Sequence, residues 1–390
     1  MVWVTVLVAH PIIAPGFKFS YQAGIAIDLL ILAFFIGEFA VLGIDRPMAV
    51  DGGIRIHPKV WHAENFRIWL NRSIIALIGI SFVGSLIYFY RFYLHFGSLG
   101  QLLTAGWAVR GALASGEIAV PLGVRIPALL AFSALNLSLC YWILFQFRWY
   151  LLLPVISMTI MGIAQAGRAA TLMMLIMIFV AQYWKDKYQG KKAVGSRFLR
   201  RSILFALLIL IVFVLGQSYR DQAVDMMSMI EGHTGVYQAY LMGAISGFSE
   251  FWLRYSSGDD LKYGQYMFSA LVQLLGISNL PLGYYDEYLG ISWLNDAAVN
   301  IYTLFRNVVD DYGFSGALVF MFLLGMIFAL VYRGACRGNV ALLSVAIMAY
   351  TMIVYSIFAP LTQHNTILLS FAVPPLAIFW INNRLRNVEI

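Results

Sequence analysis

Long apolar runs such as Ser202 to Ser218 and Ile126 to Phe147 recur along the chain, each continuous rather than alternating at period two. An α-helix needs about 20 such residues to cross a hydrocarbon core of about 30 Å. Inside that layer the backbone must satisfy its own hydrogen bonds, which leaves helices or closed barrels. Barrel strands alternate apolar and polar residues. These runs do not, so the expected fold is all-α: a polytopic helical membrane protein. Composition agrees, with 61% hydrophobic residues and 12% charged, against about 25% charged in a soluble domain.

Spans are expected near 2–15, 21–43, 73–90, 126–147, 150–166, 169–184, 202–218, 314–332, 340–358 and 366–382, about ten in all. The first run lacks a basic leader and a small-residue cleavage site, so it reads as a short span rather than a signal peptide. Short loops rich in Lys and Arg stay on the cytoplasmic side. With the N-terminus inside, 17 of the 26 basic residues fall in cytoplasmic segments: Arg46, Arg55, Lys59, Arg67, Arg72, Arg148, Lys185, Lys187, Lys191, Lys192, Arg197, Arg200, Arg201, Arg333, Arg337, Arg384 and Arg386. Both termini are then cytoplasmic. The net charge of +7 is accordingly a topology signal and implies no nucleic-acid partner. Cys140 falls inside a span and Cys336 in a basic turn, so no extracytoplasmic pair is available for a disulfide.

Three blocks follow. Residues 1–218 carry spans one to seven, with a middle extracytoplasmic loop near 95–125. Residues 219–313 form one long extracytoplasmic loop, partly helical. Residues 314–390 carry the last three spans. Within the long loop the apolar stretches 236–253 and 265–281 are broken by Gly, Ser and Pro, and read as amphipathic or partly inserted helices. Counting one alone as a span would invert the charge rule downstream. No internal repeat is evident, so the inverted-repeat signature of many secondary transporters is missing.

There is no Gly-rich phosphate loop, no His-Glu-x-x-His, no metal-spaced Cys or His cluster and no Asp-x-Asp. The expected chemistry uses no metal, no cofactor and no nucleotide-sugar donor. Arginines instead stand out on the extracytoplasmic side: Arg168, Arg220, Arg254 and Arg306, with Arg110 and Arg125 in the middle loop. Each could be an ordinary snorkelling cation at a helix end. Together they suit a phosphate clamp, for which the planar guanidinium is the appropriate donor.

Around them the long loop concentrates aromatics (Tyr237, Tyr240, Trp252, Tyr255, Tyr263, Tyr266, Tyr284, Tyr285, Tyr288, Trp293) and acids (Glu231, Glu250, Asp259, Asp260, Asp286, Glu287, Asp296). Any one aromatic could belong to an interfacial belt. Their density suits a carbohydrate, which offers C–H faces to rings and hydroxyls to carboxylates. His233 and His364 also lie outside the membrane, and a lone His is more often structural than catalytic. Asp28 and Glu38, inside the second span, must face a partner or a cavity. A structural hydrogen-bonding role is preferred for them over a proton relay.

The segment Asn300-Ile301-Tyr302-Thr303-Leu304-Phe305-Arg306, followed by Asp310-Asp311-Tyr312-Gly313 and an apolar span, resembles the oligosaccharide repeat-unit polymerases, the O-antigen polymerases of the Wzy type. The Gly167-Arg168 turn between two apolar runs and the single long loop are similar to theirs. O-antigen ligases and the peptidoglycan-polymerising SEDS proteins look alike in outline, and the Asn-Ile-Tyr-Thr run favours the polymerases. The resemblance implies a GT-C-like membrane glycosyltransferase of the bacterial inner membrane, working in lipopolysaccharide biosynthesis beside a flippase and a chain-length regulator. It would move a glycan from undecaprenyl pyrophosphate to the non-reducing end of another lipid-linked repeat unit. An O-antigen ligase acting on a lipid A core, or a lipid or polysaccharide transporter, is the alternative.

A diphosphate leaves without protonation, so such an enzyme needs positive charge at the leaving group and a base for the acceptor hydroxyl. Arg168, Arg220, Arg254 and Arg306 are the expected clamp. Glu250, Asp296 or His233 is the expected base, in that order. Asn300, Tyr302, Thr303 and Asp311 are carried over from the motif as residues that shape the site.

Overall fold

The structure, a computed structural model, describes residues 19–43, 64–98, 120–164, 169–190, 243–255, 260–277, 303–356 and 365–386, with a few short pieces between them. Among the described residues the regular structure is helical apart from one two-residue antiparallel pairing, in which Leu289 pairs with Val299 and Gly290 with Ala298. In chain order the helices are α1 (Tyr21–Leu42), α2 (Glu64–Phe96), α3 (Leu122–Leu129), α4 (Ala131–Leu144), α5 (Leu153–Ala164), α6 (Ala169–Tyr188), α7 (243–254), α8 (Ser269–Leu274), α9 (Leu304–Cys336), α10 (Val340–Tyr355) and α11 (Asn365–Arg386).

Among the described residues five helical stretches are long and apolar enough to cross a membrane: Tyr21–Leu42, Glu64–Phe96, Gly123–Leu144, Leu304–Cys336 and Ile367–Leu385. Trp149–Ala164 and Val340–Tyr355 are shorter apolar helices. Of the ten expected spans, 2–15 lies outside the described residues, as does most of 202–218. Of the two stretches expected not to span, 236–242 of the first lies outside the described residues and the rest falls in α7; the second contains α8, of six residues.

The chain divides into two compact units that interleave in sequence. One contains Met1–Met48, Ile230–Arg333 and Met352–Leu368; the other contains Ala49–Met229, Gly334–Thr351 and Leu369–Ile390. The three consecutive blocks read from the sequence therefore mark expected topology, whereas the packing units are built from separated segments.

In the first unit, α1 buries the stripe Ala23, Ala26, Ile27, Leu30, Gly37 and Val41. Ile25, Leu29, Leu32, Phe35, Ile36 and Phe39 stay exposed on its other side. A helix apolar all round is at home in lipid rather than water. Gly37 and Gly325 let α1 and α9 touch backbone to backbone. A Cβ on Gly37 would collide with the Phe322 carbonyl oxygen, and one on Gly325 with that of Phe34. Beside this contact Phe34 meets Phe328 edge-on at 5.6 Å. Small residues at a helix crossing gain packing where lipid supplies no hydrophobic drive.

The second unit packs α2 against α3, α4 and α5, and α6 against α4 and α5. One core gathers Phe66, Leu70, Ile74, Leu137, Tyr141, Val340, Ile378 and Ile381. A second gathers Tyr88, Phe92, Val109, Ala128, Leu129, Met161 and Ala164. Buried Asn136 crosslinks three helices, its Nδ2 donating to the carbonyls of Ser344 at 3.0 Å and Ser370 at 3.3 Å. Tyr188 ties the end of α6 to α9 by donating from its hydroxyl to the Ala335 carbonyl at 2.7 Å. Cations cover tryptophan faces in this unit, with Lys185 4.3 Å from the Trp142 centroid and Arg384 4.4 Å from that of Trp69. These basic residues belong to segments expected to be cytoplasmic, where Trp and Lys or Arg mark a membrane interface.

Candidate functional site

The site is built on the first nine residues of α9. The helix runs over 33 residues and is broken at Gly313; the 23 residues from Phe314 to Cys336 cover about 35 Å, enough to cross a bilayer core. Its composition divides accordingly: Arg306, Asn307, Asp310 and Asp311 all precede Gly313, and 314–332 carries no charge. Gly313 itself has φ 68° and ψ 169°, a left-handed break that L side chains rarely adopt.

Such a break strands backbone groups, and the segment around 255–263 takes them up. The Asp310 and Asp311 carbonyls, which a regular helix would give to Phe314 and Ser315, instead accept from the Lys262 and Tyr263 amides at 3.2 and 2.9 Å. The Phe314 N–H, released in turn, donates to the Tyr255 hydroxyl at 3.2 Å. The Asp311 side chain completes the joint, its two oxygens accepting from the Tyr266 and Met267 amides at 3.0 and 2.7 Å. A carboxylate with several backbone donors is satisfied even when fully buried. The turn it holds contains Tyr263, whose φ of 47° is unusual for a non-glycine residue and whose ring is 76% exposed.

On the neighbouring face Arg306 is 5% exposed. Its Nε donates to Asp310 Oδ2 at 3.3 Å, and its guanidinium lies 4.8 Å from the centroid of Phe251 on α7. Phe248 and Phe305 carry the same helix contact, 6.3 Å apart. Trp252 stacks on Tyr255 at 5.4 Å and meets Phe314 edge-on at 5.2 Å. The result is an aromatic wall over a paired, buried cation at the polar end of an apolar helix.

Of the residues expected to act, the structure gathers Thr303, Arg306 and Asp311 on α9 and its approach, with Glu250 and Arg254 on the adjoining α7. Glu250 is half-buried beside Phe251, and Arg254, one turn further, is exposed. Arg306 is thus already ion-paired rather than an open cation, and Asp311 holds a turn rather than facing solvent. Arg168, Arg220, His233, Asp296, Asn300 and Tyr302 lie outside the described residues, as do Arg110 and His364. Arg125 is exposed and falls in the other unit. Asp28 is exposed and Glu38 half-buried on α1. Among the described residues no three His, Cys, Asp or Glu side chains are grouped to hold a metal.

One residue escaped the sequence reading. Asn307 is 1% exposed, and its Nδ2 has no hydrogen-bond partner among the described residues. The available signal was an amide embedded among Leu304, Phe305, Val308 and Val309, but a single Asn carries no spacing motif. No family model, curated protein or solved structure matches the chain.

Proposed function

We propose that the chain polymerises lipid-linked oligosaccharide repeat units at the extracytoplasmic face of a bacterial inner membrane, on a GT-C-like fold of about ten spans with both termini cytoplasmic. The carrying observation is that the stretch resembling the polymerases, 300–306 with 310–313, includes the part of this membrane helix that buries an arginine against an aromatic wall. Burying a guanidinium is costly unless it is paired. The Arg306–Asp310 pair meets that cost and fixes the direction of the fork.

In the proposed reaction the bond between the anomeric carbon of the donor glycan and its diphosphate oxygen breaks. A bond forms from that carbon to a hydroxyl at the non-reducing end of the acceptor. The hydroxyl proton passes to a base, Glu250 first and Asp296 or His233 as alternatives, and the diphosphate leaves on its lipid. Arg306, with Arg254, Arg168 and Arg220, would stabilise the charge that develops on the diphosphate. Exposed Tyr263 and the Trp252–Tyr255 stack offer ring faces to sugar C–H groups.

Incubating purified protein with a synthetic polyprenyl-diphosphate oligosaccharide tests this reading. A ladder of lengthening products, formed without nucleotide or added metal, is the expected result. Absence of a ladder, or transfer only when a lipid A core is supplied, overturns it.

A further inference from the structure

We propose that Asn307 and Thr303 form a phosphate-binding site at the N-terminus of α9, with Arg306 at its flank. The inference deepens the polymerase reading and rests on it for the identity of the lipid, but not for the anion. At 100° per residue, Thr303, Arg306 and Asn307 fall within an arc of about 100° on one side of the helix. Thr303 lies between the other two, and Asn307 stands one turn above it. Side chains on an α-helix tilt toward its N-terminus, so the Asn307 amide leans back over Thr303.

Both groups are buried and unsatisfied. Thr303 is fully buried and Asn307 1% exposed, and among the described residues neither Thr303 Oγ1 nor Asn307 Nδ2 has a hydrogen-bond partner. Thr303 stands in the N-cap position, yet its hydroxyl caps nothing among the described residues, while its carbonyl accepts from the Arg306 N–H at 3.2 Å. The Leu304 N–H is already taken by the Ser356 carbonyl at 3.0 Å. Leaving a buried donor unmade is destabilising, and Leu or Val would fill position 307 among its apolar neighbours without that cost. What remains at this helix start is an amide donor, a hydroxyl and the positive end of the nine-residue helical segment that precedes the break at Gly313. Such a set is complementary to phosphate oxygens. The nearby carboxylates do not oppose it: Asp310 is engaged by Arg306 Nε, and Asp311 by two backbone amides.

The test uses purified full-length protein in detergent and two probes, geranylgeranyl diphosphate and inorganic pyrophosphate, with binding read by thermal shift and isothermal calorimetry. Wild type is expected to bind the lipid diphosphate. Asn307→Leu is expected to weaken binding roughly tenfold or more, with an unliganded melting temperature at or above that of wild type. Thr303→Val provides an independent second variant should Asn307→Leu fail to fold. Binding of inorganic pyrophosphate as well identifies a site for phosphate itself; binding of the lipid alone adds a hydrocarbon requirement. Either supports the site. Wild-type binding that both variants retain, or no binding of either probe, overturns it and leaves two groups bridged by internal water. A site that binds diphosphate in a protein that makes no ladder would sink the polymerase reading alone.

Discussion

Asp311 and Arg306 are five residues apart on one helix and play opposite parts. Asp311 is spent on structure, since both oxygens hold the 266–267 turn against the break at Gly313. Asp311→Ala leaves those amides without acceptors and is expected to cost about 1–3 kcal/mol. Asp311→Asn, which keeps one acceptor oxygen, should fall between; melting curves in detergent measure both. Arg306 carries the chemistry in the proposed reaction, so Arg306→Ala should lower polymer output roughly 100-fold at near-normal protein level. Arg306→Lys should recover little, because an ammonium cannot hold Asp310 and a phosphate in one planar fork. A normal polysaccharide ladder in cells carrying Arg306→Ala would remove the residue from the clamp. At this scale the residue types were legible and their partners were not. The motif drew attention to Asp311 and Arg306, but backbone donors 44 and 45 positions earlier leave no pattern in sequence.

Helices were legible where hydropathy alone decides. The apolar runs at 21–43, 150–166 and 340–358 correspond closely to α1, to Trp149–Ala164 and to α10. α2 and α9 each begin about ten residues before the expected apolar run, because helix continues through polar residues that hydropathy cannot register. Contacts between elements were less visible still. Gly37 and Gly325 belong to no sequence motif together, since their relation arises only when α1 and α9 cross. Gly325→Val should therefore drive the two helices apart and lower the yield of monodisperse protein in size-exclusion chromatography. Gly79→Val is the matched control, because a Cβ there meets nothing within 4 Å. Equal loss in both variants would show that general helix propensity, and not the crossing, is responsible.

For the molecule as a whole, charge bias makes the firmest statement and the easiest to test. Gly190 and Asp260 are both exposed, and the expected topology separates them by the single span 202–218. With Cys140 and Cys336 replaced by Ala and Ser, Asp260→Cys should react with a membrane-impermeant maleimide on intact spheroplasts. Gly190→Cys should react only after lysis. Lys185, Lys187, Lys191 and Lys192 flank Gly190, so the expected topology puts it on the cytoplasmic side, while the candidate site adjoins Asp260 through the Lys262 and Tyr263 amides. The reverse labelling pattern would put the site on the side that faces nucleotide sugars, and a lipid-diphosphate donor would lose its rationale. Labelling of both positions from one side would mean that residues 191–259 cross an even number of times. In that case either 202–218 does not cross or the apolar stretch 236–253 crosses as well, and every assignment after it changes side.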